Sequence, residues 1–575
     1  MSAPRASAPV RLAALAAAVA LAVLAGALAV RLAGRRAAVP PPAAEAPPGD
    51  RTVDLKERVR HEEYSRGKLG ADIRGDSFFL GPDGRNHLRG SVEITNFGPS
   101  GEAVSRLTAG EVVYDPGAVR FTVTGGVRIE AGGVVLEGAS FEHDKEAGLF
   151  GTTAGGSFSA GTVSGRAAAV LYAEREDEVR LSGGFRVELA APPGSGEAAV
   201  LVGDSLVYRR GERRGLARGS AAFAGPGFRA EAAEATFSTD RDERAIESAA
   251  FEGGAGGGAR LVLTRSSGPG LVLLAGKIDM TFGPDGAAGG WTASGGFRAV
   301  LGSTALEGAT AVFDAAAGTL VAEGASGSPA VADSSEARVE AARLAAGPAE
   351  GDLEASGGVS CLLKPGEGRR AGGFFSAAEA ALVACEKLAF RGGAGSASFA
   401  GGVRARQGED FLDAEEIGFS DASGELHAGG GVSAGLPRRA AAGAGPDGRV
   451  ELGGREMAFS ASDRLLSFKG GSRAALPEAR IEAGAISAVL GGEGQGVVSL
   501  AARAEVVLIK GAYTGRAGAA VYQAGTGRIT LTGRPVVTGQ TGGSTRGDKL
   551  TLDMADDKIL VENEGQGRSA TVVKS

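Results

Sequence analysis

Apolar and polar residues alternate along most of the chain from about residue 71 onwards. In the stretch 120–137, Phe121 and Val123, then Val127 and Ile129, alternate with polar or charged residues, and Leu136 follows Val134 at the same spacing. A period of two residues is typical of β-strands with one buried face and one solvated face. The pattern therefore predicts short strands whose apolar sides face a common interior.

Glycine pairs and aspartates punctuate these runs. An apolar strand is commonly followed by a turn with aspartate, as at Asp115, Asp144 and Asp314, because its carboxylate can accept local backbone N–H bonds. Glycine pairs precede further strands, and their uneven spacing indicates a degenerate repeat. Stacked strand units of this kind cover each other's apolar faces. Gly125-Gly126 and Gly132-Gly133 are two such pairs, and others begin at Gly183, Gly295, Gly357, Gly401 and Gly430.

The repeat predicts an all-β protein, an elongated stack of short antiparallel strands. About 40 strands in two facing sheets would make about 20 layers, or on the order of 100 Å at ~4.8 Å per layer. The alanine-rich stretch 334–350 has good helical propensity. We nevertheless predict strands there, because the flanking pattern continues through it.

The N-terminus carries a different signal, an uncharged apolar run over residues 12–30 between Arg11 and Arg31. At ~1.5 Å per residue it reaches roughly 28 Å, enough to span a bilayer. We predict a retained single transmembrane helix within residues 1–36. A cleaved signal peptide and a buried soluble helix are the alternatives. Residues 37–70 begin with a proline-rich spacer, which predicts a stalk that holds the bulk of the chain, exported, off the membrane.

Composition narrows the function classes. Glycine contributes 97 residues, 43% of residues are hydrophobic and only 5% are aromatic, so the interior is lined largely by small side chains. The net charge of −7 comes from interleaved acids and bases, and the absence of a basic stripe excludes nucleic acid as an expected partner.

Residues that could carry chemistry are few. Cys361 and Cys385 lack a CxxC motif and a nearby histidine, which argues against zinc. They could form a disulfide worth about 3 kcal/mol or remain two buried thiols. The four histidines are scattered, and no nucleophile or phosphate-binding motif occurs. We therefore predict no enzyme activity, no cofactor and no metal site.

Facing apolar strands allow two kinds of function. If the strands gape along one side, they form an apolar trough, in which an acyl chain gains about 0.8 kcal/mol per buried CH₂. If they close, the protein is a structural or adhesive β-solenoid with a filled core. Small lining residues favour the trough. A polymer-processing enzyme is disfavoured because no cluster of carboxylates is evident.

Two segments resemble a known family. The block "AAVYQAGTGRITLTGRPVVTGQTGGSTRGDKLTLDMADDKILVEN" (519–563) is similar to units of LptA. The segments "LGADIRGDSFFLGPDGRNHLRGSVEITNFG" and "LTAGEVVYDPGAVRFTVTGGVRIEAGGVVLEGASFEHD", within 69–144, are similar to the start of LptC. Together they resemble the LptC and LptA (OstA-like) proteins of periplasmic lipopolysaccharide transport. This chain is longer than typical members, which leaves the arrangement of partners open.

The resemblance implies an open β-jellyroll (β-taco) trough holding the acyl chains of lipopolysaccharide or a related glycolipid. It also implies an inner-membrane ABC transporter complex as partner, and other β-jellyroll bridge or outer-membrane components joined by pairing of edge strands. The lining residues would be Phe121, Val123, Val127, Ile129, Leu136, Ile529, Leu531, Leu550, Leu552, Ile559 and Val561.

These expectations combine into one organisation. An anchor (1–36) and a stalk (37–70) precede an LptC-like region (71–200), a degenerate OstA-like region (201–450) and an LptA-like region (451–575). The whole is expected to be a single-pass inner-membrane protein with its bulk in the periplasm, carrying glycolipid from the inner towards the outer membrane.

Overall fold

The computed structural model describes residues 56–572, apart from 66–67, 99, 116–118, 145, 191–197, 256, 265–269, 348, 350, 367–373, 421, 439–447, 493–495, 541, 555–557 and 563–569. The predicted membrane helix and most of the stalk lie outside the described residues. Within these, no helix has the length and apolarity needed to cross a membrane.

Every regular secondary-structure element among the described residues is a β-strand, which confirms the all-β prediction. Two of these strands lie in the alanine-rich stretch 334–350. The strands are β1 (Lys56–Ser65), β2 (Lys68–Leu80), β3 (Asn86–Phe97), β4 (Ala103–Tyr114), β5 (Arg120–Ala131), β6 (Val134–Asp144), β7 (Leu149–Thr152), β8 (Gly156–Ala160), β9 (Val163–Ala173), β10 (Glu178–Leu189), β11 (Ala199–Arg209), β12 (Arg214–Gly225), β13 (Phe228–Thr239), β14 (Ile246–Glu252), β15 (Ala259–Leu263), β16 (Leu271–Phe282), β17 (Ala288–Leu301), β18 (Thr304–Gly308), β19 (Thr310–Asp314), β20 (Thr319–Glu323), β21 (Ala330–Asp333), β22 (Ala337–Ala341), β23 (Arg343–Ala346), β24 (Leu353–Leu363), β25 (Ala381–Arg391), β26 (Ser396–Gln407), β27 (Asp410–Ser420), β28 (Glu425–Pro437), β29 (Arg449–Ser460), β30 (Leu465–Ala475), β31 (Arg480–Leu490), β32 (Val497–Lys510), β33 (Tyr513–Gln523), β34 (Arg528–Thr532), β35 (Val536–Gly539), β36 (Ser544–Arg546), β37 (Lys549–Asp553), β38 (Ile559–Glu562) and β39 (Ala570–Val572).

Most strands pair antiparallel with the strands before and after them, as β5 does with β4 and β6. Where a strand is interrupted, two short strands share one layer: β7 and β8 both pair with β6 and with β9. The strands thus make about thirty layers, and at ~4.8 Å per layer the stack is roughly 140 Å long.

The layers are bent rather than flat. In β10, Gly183 and Gly184 together stand opposite single residues, Ala168 of β9 and Asp204 of β11. A two-against-one bulge bends a strand sharply. Its repetition down the stack divides one continuous sheet into two arms that face each other. This corrects the expectation of two separate sheets and of about 20 layers.

We call this line of bends the corner. The first arm contains segments such as 120–124 of β5 and 178–182 of β10, and the second arm contains 127–131 and 185–189. The first rim is the free edge of the first arm, made by turns such as 144–149 and 209–214. The second rim is the free edge of the second arm, made by turns such as 131–134 and 160–163.

Both residues of the glycine pair at the corner have positive φ. Gly430 and Gly431 of β28 have φ of 79° and 91°. A Cβ on Gly430 would lie 2.3 Å from the Cβ of Glu415 on β27, whereas one on Gly431 would meet nothing within 4 Å. The first position therefore needs glycine for space as well as for φ, and the second needs it only for φ.

Residues that replace glycine at the corner follow this asymmetry. Ser220, Glu505 and Arg534 occupy second positions with positive φ, where there is room for a side chain. Ala504 occupies a first position, and there the opposing strand carries Gly484, on which an added Cβ would lie only 3.0 Å from the Ala504 Cβ. Where the two neighbouring strands approach most closely at the corner, one of the two facing residues is thus still a glycine.

Not every glycine pair has this role. Gly125-Gly126 bends β5 within the strand, whereas Gly132-Gly133 forms the hairpin turn between β5 and β6. The sequence pattern treated both as punctuation between strands. Two of the aspartate turns are confirmed: the Asp144 carboxylate accepts a bond from the Ala147 backbone N–H, and the Asp314 carboxylate from the Ala316 N–H, each at 2.9 Å. The residues that follow Asp115 lie outside the described residues.

The core fills the space between the arms. One buried apolar cluster extends from Leu88 to Met554 and includes residues of both arms. Its largest fully buried side chains include Tyr172, Phe251 and Phe468. The alternation predicted from the sequence therefore does place a continuous apolar interior along the stack.

Candidate functional site

The predicted lining residues all face the interior. Eight of the eleven are at most 3% exposed: Val123, Val127, Ile129, Leu136, Ile529, Leu531, Leu550 and Leu552. Phe121, Ile559 and Val561 are partly buried and pack against the same cluster. Register explains the grouping, since Ile129 pairs with Leu136 and Leu531 with Leu550 across neighbouring strands.

These residues are covered by packed side chains. Near the N-terminal end, the ring of His143 stacks between Phe121 and Phe150, with ring centroids 5.8 and 4.0 Å away. At the C-terminal end, Leu531 is fully buried beside Leu550. The expected open trough is thus closed along these stretches. The reason lies in the contacts between the two rims, whose line of contact we call the seam.

At the N-terminal part of the seam, Arg210 on the first rim reaches across to the second. Its Nη1 donates to the Gly132 carbonyl at 2.6 Å. The same guanidinium contacts the Asp177 carboxylate and the Glu243 carboxylate, each at 3.3 Å. A second crossing lies nearby, where Thr162 Oγ1 donates to the Glu243 carbonyl at 2.9 Å.

This network is connected to the core through Tyr172. Its hydroxyl bonds to the Asp177 carboxylate at 3.3 Å, and the rest of the side chain is buried. Burial, reinforced by the charge of Asp177, raises the pKa of Tyr172 to about 12. The tyrosine therefore stays neutral and acts as an apolar wall with a polar tip.

At the C-terminal part of the seam, Arg438 follows β28 on the second rim. Its backbone pairs with Val497, at the first-rim end of β32. Its side chain is 2% exposed, donates to Glu478 at 2.7 Å, and lies over the Tyr522 ring at 5.9 Å from the centroid. Further along, Lys510 on the second rim donates to the Asp553 carbonyl at 3.2 Å.

Aromatic contacts cover the seam between these two polar crossings. Phe228, at the second rim, packs against Phe282, at the first, with centroids 5.1 Å apart. Phe374, in the segment between β24 and β25, lies edge-on to Phe459 at 6.0 Å. Apart from the backbone bridge between Arg438 and Val497, the contacts described across the seam are made by a small number of side chains, in contrast to the backbone ladders that hold each arm.

Sequence reasoning missed the residues of the seam. Arg210 belongs to the arginine-rich turn "YRRGERRG" (208–215), which is the one signal that could have drawn attention to it. Alternation alone cannot show which of these arginines contacts the opposite rim. The neighbouring Arg209 does not: it pairs with Glu178 on its own arm at 2.8 Å. For Arg438 we find no sequence signal.

The cysteines are two buried thiols rather than a disulfide. Cys361 pairs in register with Val383, and Cys385 with Val359, so the two are diagonal neighbours on β24 and β25. Diagonal positions are ~7–8 Å apart, beyond the usual span of a disulfide. Burial raises the pKa of the Cys385 thiol.

Within the described residues, no group of three or more histidine, cysteine or carboxylate side chains is placed to hold a metal ion. His87 lies between Glu111 (2.8 Å) and Asp83 (3.2 Å). A hollow of about 1000 Å³ lies on the outer face of the first arm, where Thr236, Ser248 and Thr292 point away from the core.

Comparison with known proteins gives one family match. Residues 385–558 match the family model described as LptA/(LptD N-terminal domain) LPS transport protein. The match covers under a third of the chain and crosses the boundary predicted at residue 450. This segment is thus similar to lipopolysaccharide-transport proteins, in a family that joins LptA with the N-terminal domain of LptD and not with LptC.

Among solved structures, the crystal structure of LptH from Pseudomonas aeruginosa, an LptA homologue and periplasmic component of the lipopolysaccharide transport device, overlaps 22% of this chain and 95% of its own. Sequence identity is 9% and the TM-score is 0.20, too low to support an argument. A search of curated protein sequences finds no match.

Proposed function

We propose that the protein carries lipopolysaccharide or a related glycolipid across the periplasm, with acyl chains between the two arms. The observation that supports this most is the family match over 385–558, a range in which the described strands continue the same two-armed, apolar interior. Acyl chains would gain about 0.8 kcal/mol for each CH₂ that leaves water there.

The finer assignments belong to the same proposal. The region 71–200 would act as an LptC-like start, and 201–450 and 451–575 as OstA-like and LptA-like continuations, anchored in the inner membrane by residues 1–36. An inner-membrane ABC transporter complex would supply the lipid. Edge strands would pair with other β-jellyroll or outer-membrane components. The described edges are β1 at one end and β38 with β39 at the other.

A second candidate is a structural envelope protein with a permanently closed core. The filled interior favours it, because residues such as Leu531 and Ile529 have no measurable exposure in this structure. The two candidates differ in one respect that can be tested: only a carrier brings acyl chains into contact with interior side chains.

The test is photo-crosslinking in a glycolipid-producing cell. A photoreactive amino acid at Leu531 or Leu552 is expected to give lipid adducts, and one at the outward neighbours Thr530 or Thr551 is not. Adducts at outward positions only would contradict the proposal. Absence of adducts at both sets, with no acyl species in organic extracts of the purified protein, would favour the closed structural role.

A further inference from the structure

Two of the polar crossings described at the seam, those of Arg210 and Arg438, share one construction. In each, a poorly exposed arginine joins one rim to the other, bonds to at least one carboxylate, and lies next to a buried tyrosine of the first arm. The sets are Arg210 with Asp177, Glu243 and Tyr172, and Arg438 with Glu478 and Tyr522. The arginines come from opposite rims, so the similarity is not a consequence of one repeated turn.

We infer that these arginines are latches: they hold the seam closed, and their release lets the arms separate and exposes the interior from the side. The inference that a lipid enters through this opening rests on the proposed function. The opening itself does not, because it depends only on the contacts between the rims.

Charge explains why Arg210 in particular closes the seam. Asp177 and Glu243 lie on the first-rim turns on either side of the turn that carries Arg210, and both contact the same guanidinium. Without the cation, two carboxylates would remain near each other and near the Gly132 carbonyl, and like charges and carbonyl dipoles repel. The single remaining crossing there would be the bond from Thr162 to the Glu243 carbonyl.

The neighbouring arginine provides a matched control. Arg209 lies in the same turn and is also charged, but it bonds to Glu178 and Glu212 of the first arm. Replacing Arg209 by glutamine removes the same charge from the same turn without removing a contact across the seam. Any effect shared by both variants is therefore due to charge or to turn stability.

The test measures the distance across the seam. Spin labels are placed on cysteines at Ser164 (second arm, beside the second rim) and Asp242 (first rim), both exposed, in a Cys361→Ser, Cys385→Ser background. Pulsed electron paramagnetic resonance should show a short distance in the parent protein. In Arg210→Gln we expect a longer population, with the open-to-closed ratio raised about tenfold, and no change in Arg209→Gln.

An unchanged distance distribution in Arg210→Gln would overturn the latch, and so would equal opening in both variants. If Arg210→Gln does not fold, Thr162→Val serves as a milder variant, with a smaller increase in the open population expected; a Thr162→Val protein with the parent distribution would then overturn the latch.

A reversible crosslink separates opening from transport. The same two cysteines are joined by a short, reducible bis-thiosulfonate, which locks the seam, and lipid loading is measured before and after reduction. Loading that returns on reduction supports both inferences. If Arg210→Gln opens but neither the locked nor the reduced protein takes up lipid, the latch stands and the proposed function fails.

Discussion

The corner and the seam are the two long edges of the same stack, and they are built on different principles. At the corner, the bend is made within the backbone: at Gly430 and Gly431 the chain never leaves the strand. At the seam, the arms meet through side chains such as Arg210, Arg438 and Phe374. One edge is fixed by covalent geometry and the other by noncovalent contacts.

This difference indicates which edge can move. Opening the corner would break the backbone ladders of consecutive layers. Opening the seam at Arg210 breaks a few hydrogen bonds, each worth about 1 kcal/mol net, and re-exposes charged groups that water solvates well. A fold of this kind therefore has a rigid hinge line and a weak closure, the arrangement expected of a container that loads from the side.

The substitution with the largest expected effect disrupts the corner. Gly430→Ala should lower the local free energy of unfolding around β27 and β28 by about 3 kcal/mol, because the added Cβ clashes with Glu415 and the alanine keeps a positive φ. Gly431→Ala, which meets no atom, should cost about 1 kcal/mol. Native-state hydrogen exchange of these strands measures both. Equal effects would refute the asymmetry of the pair.

The substitution with the next largest expected effect disrupts the seam. Arg438→Met removes a guanidinium that is 2% exposed from the Tyr522 ring across the seam and from Glu478 on its own rim, and should cost about 2 kcal/mol in the same measurement. Arg449→Met is the control, since Arg449 is 31% exposed and pairs with Asp410 at 3.6 Å on its own rim. It should cost less than about 1 kcal/mol. A loss at Arg449 as large as at Arg438 would show that crossing the seam is not the cause.

A smaller change sharpens the same comparison. Thr162→Val keeps the shape of the side chain but removes its bond to the Glu243 carbonyl, and should destabilise the N-terminal seam by about 1 kcal/mol. Exchange of amides in β8 and β9 is the measurement, and Ser164→Ala, at an exposed position of β9, is the control. If the two variants behave alike, this crossing does not hold the rims.

The smallest effect concerns pH at the first rim. The hydrogen bond that the His87 ring donates to the Glu111 carboxylate raises the pKa of His87, although burial opposes it, and Asp83 adds to the increase. Because the folded pKa lies above the unfolded value of about 6.5, this stabilisation is complete below that pH and is lost as pH rises through the folded pKa. Exchange in β3 should therefore accelerate modestly between pH 6 and 8, beyond the intrinsic pH dependence of exchange. His87→Gln should lose that excess, and an unchanged excess would exclude His87 as its source.

Much of the fold and of the interior could be predicted because both depend on a local pattern. Val123, Val127 and Ile129 alternate with polar neighbours, and period-two alternation assigns a face to each residue. In strands without a glycine pair the alternation shifts at the corner: Ile417 and Ala414 of β27 are both buried, with Glu415 and Glu416 exposed between them. Such a pair of consecutive outward residues is a signal that strict alternation overlooks.

By itself, the sequence determined the all-β class, the direction in which apolar side chains face, and the aspartate turns, because these follow from neighbours within a few residues. Only the tertiary structure decided that Gly125-Gly126 is a bend and Gly132-Gly133 a turn. It also decided that Arg210 rather than Arg209 closes the seam. The crossings join residues 78 and 81 positions apart, and the twist accumulated over several layers sets which turns of the two rims meet.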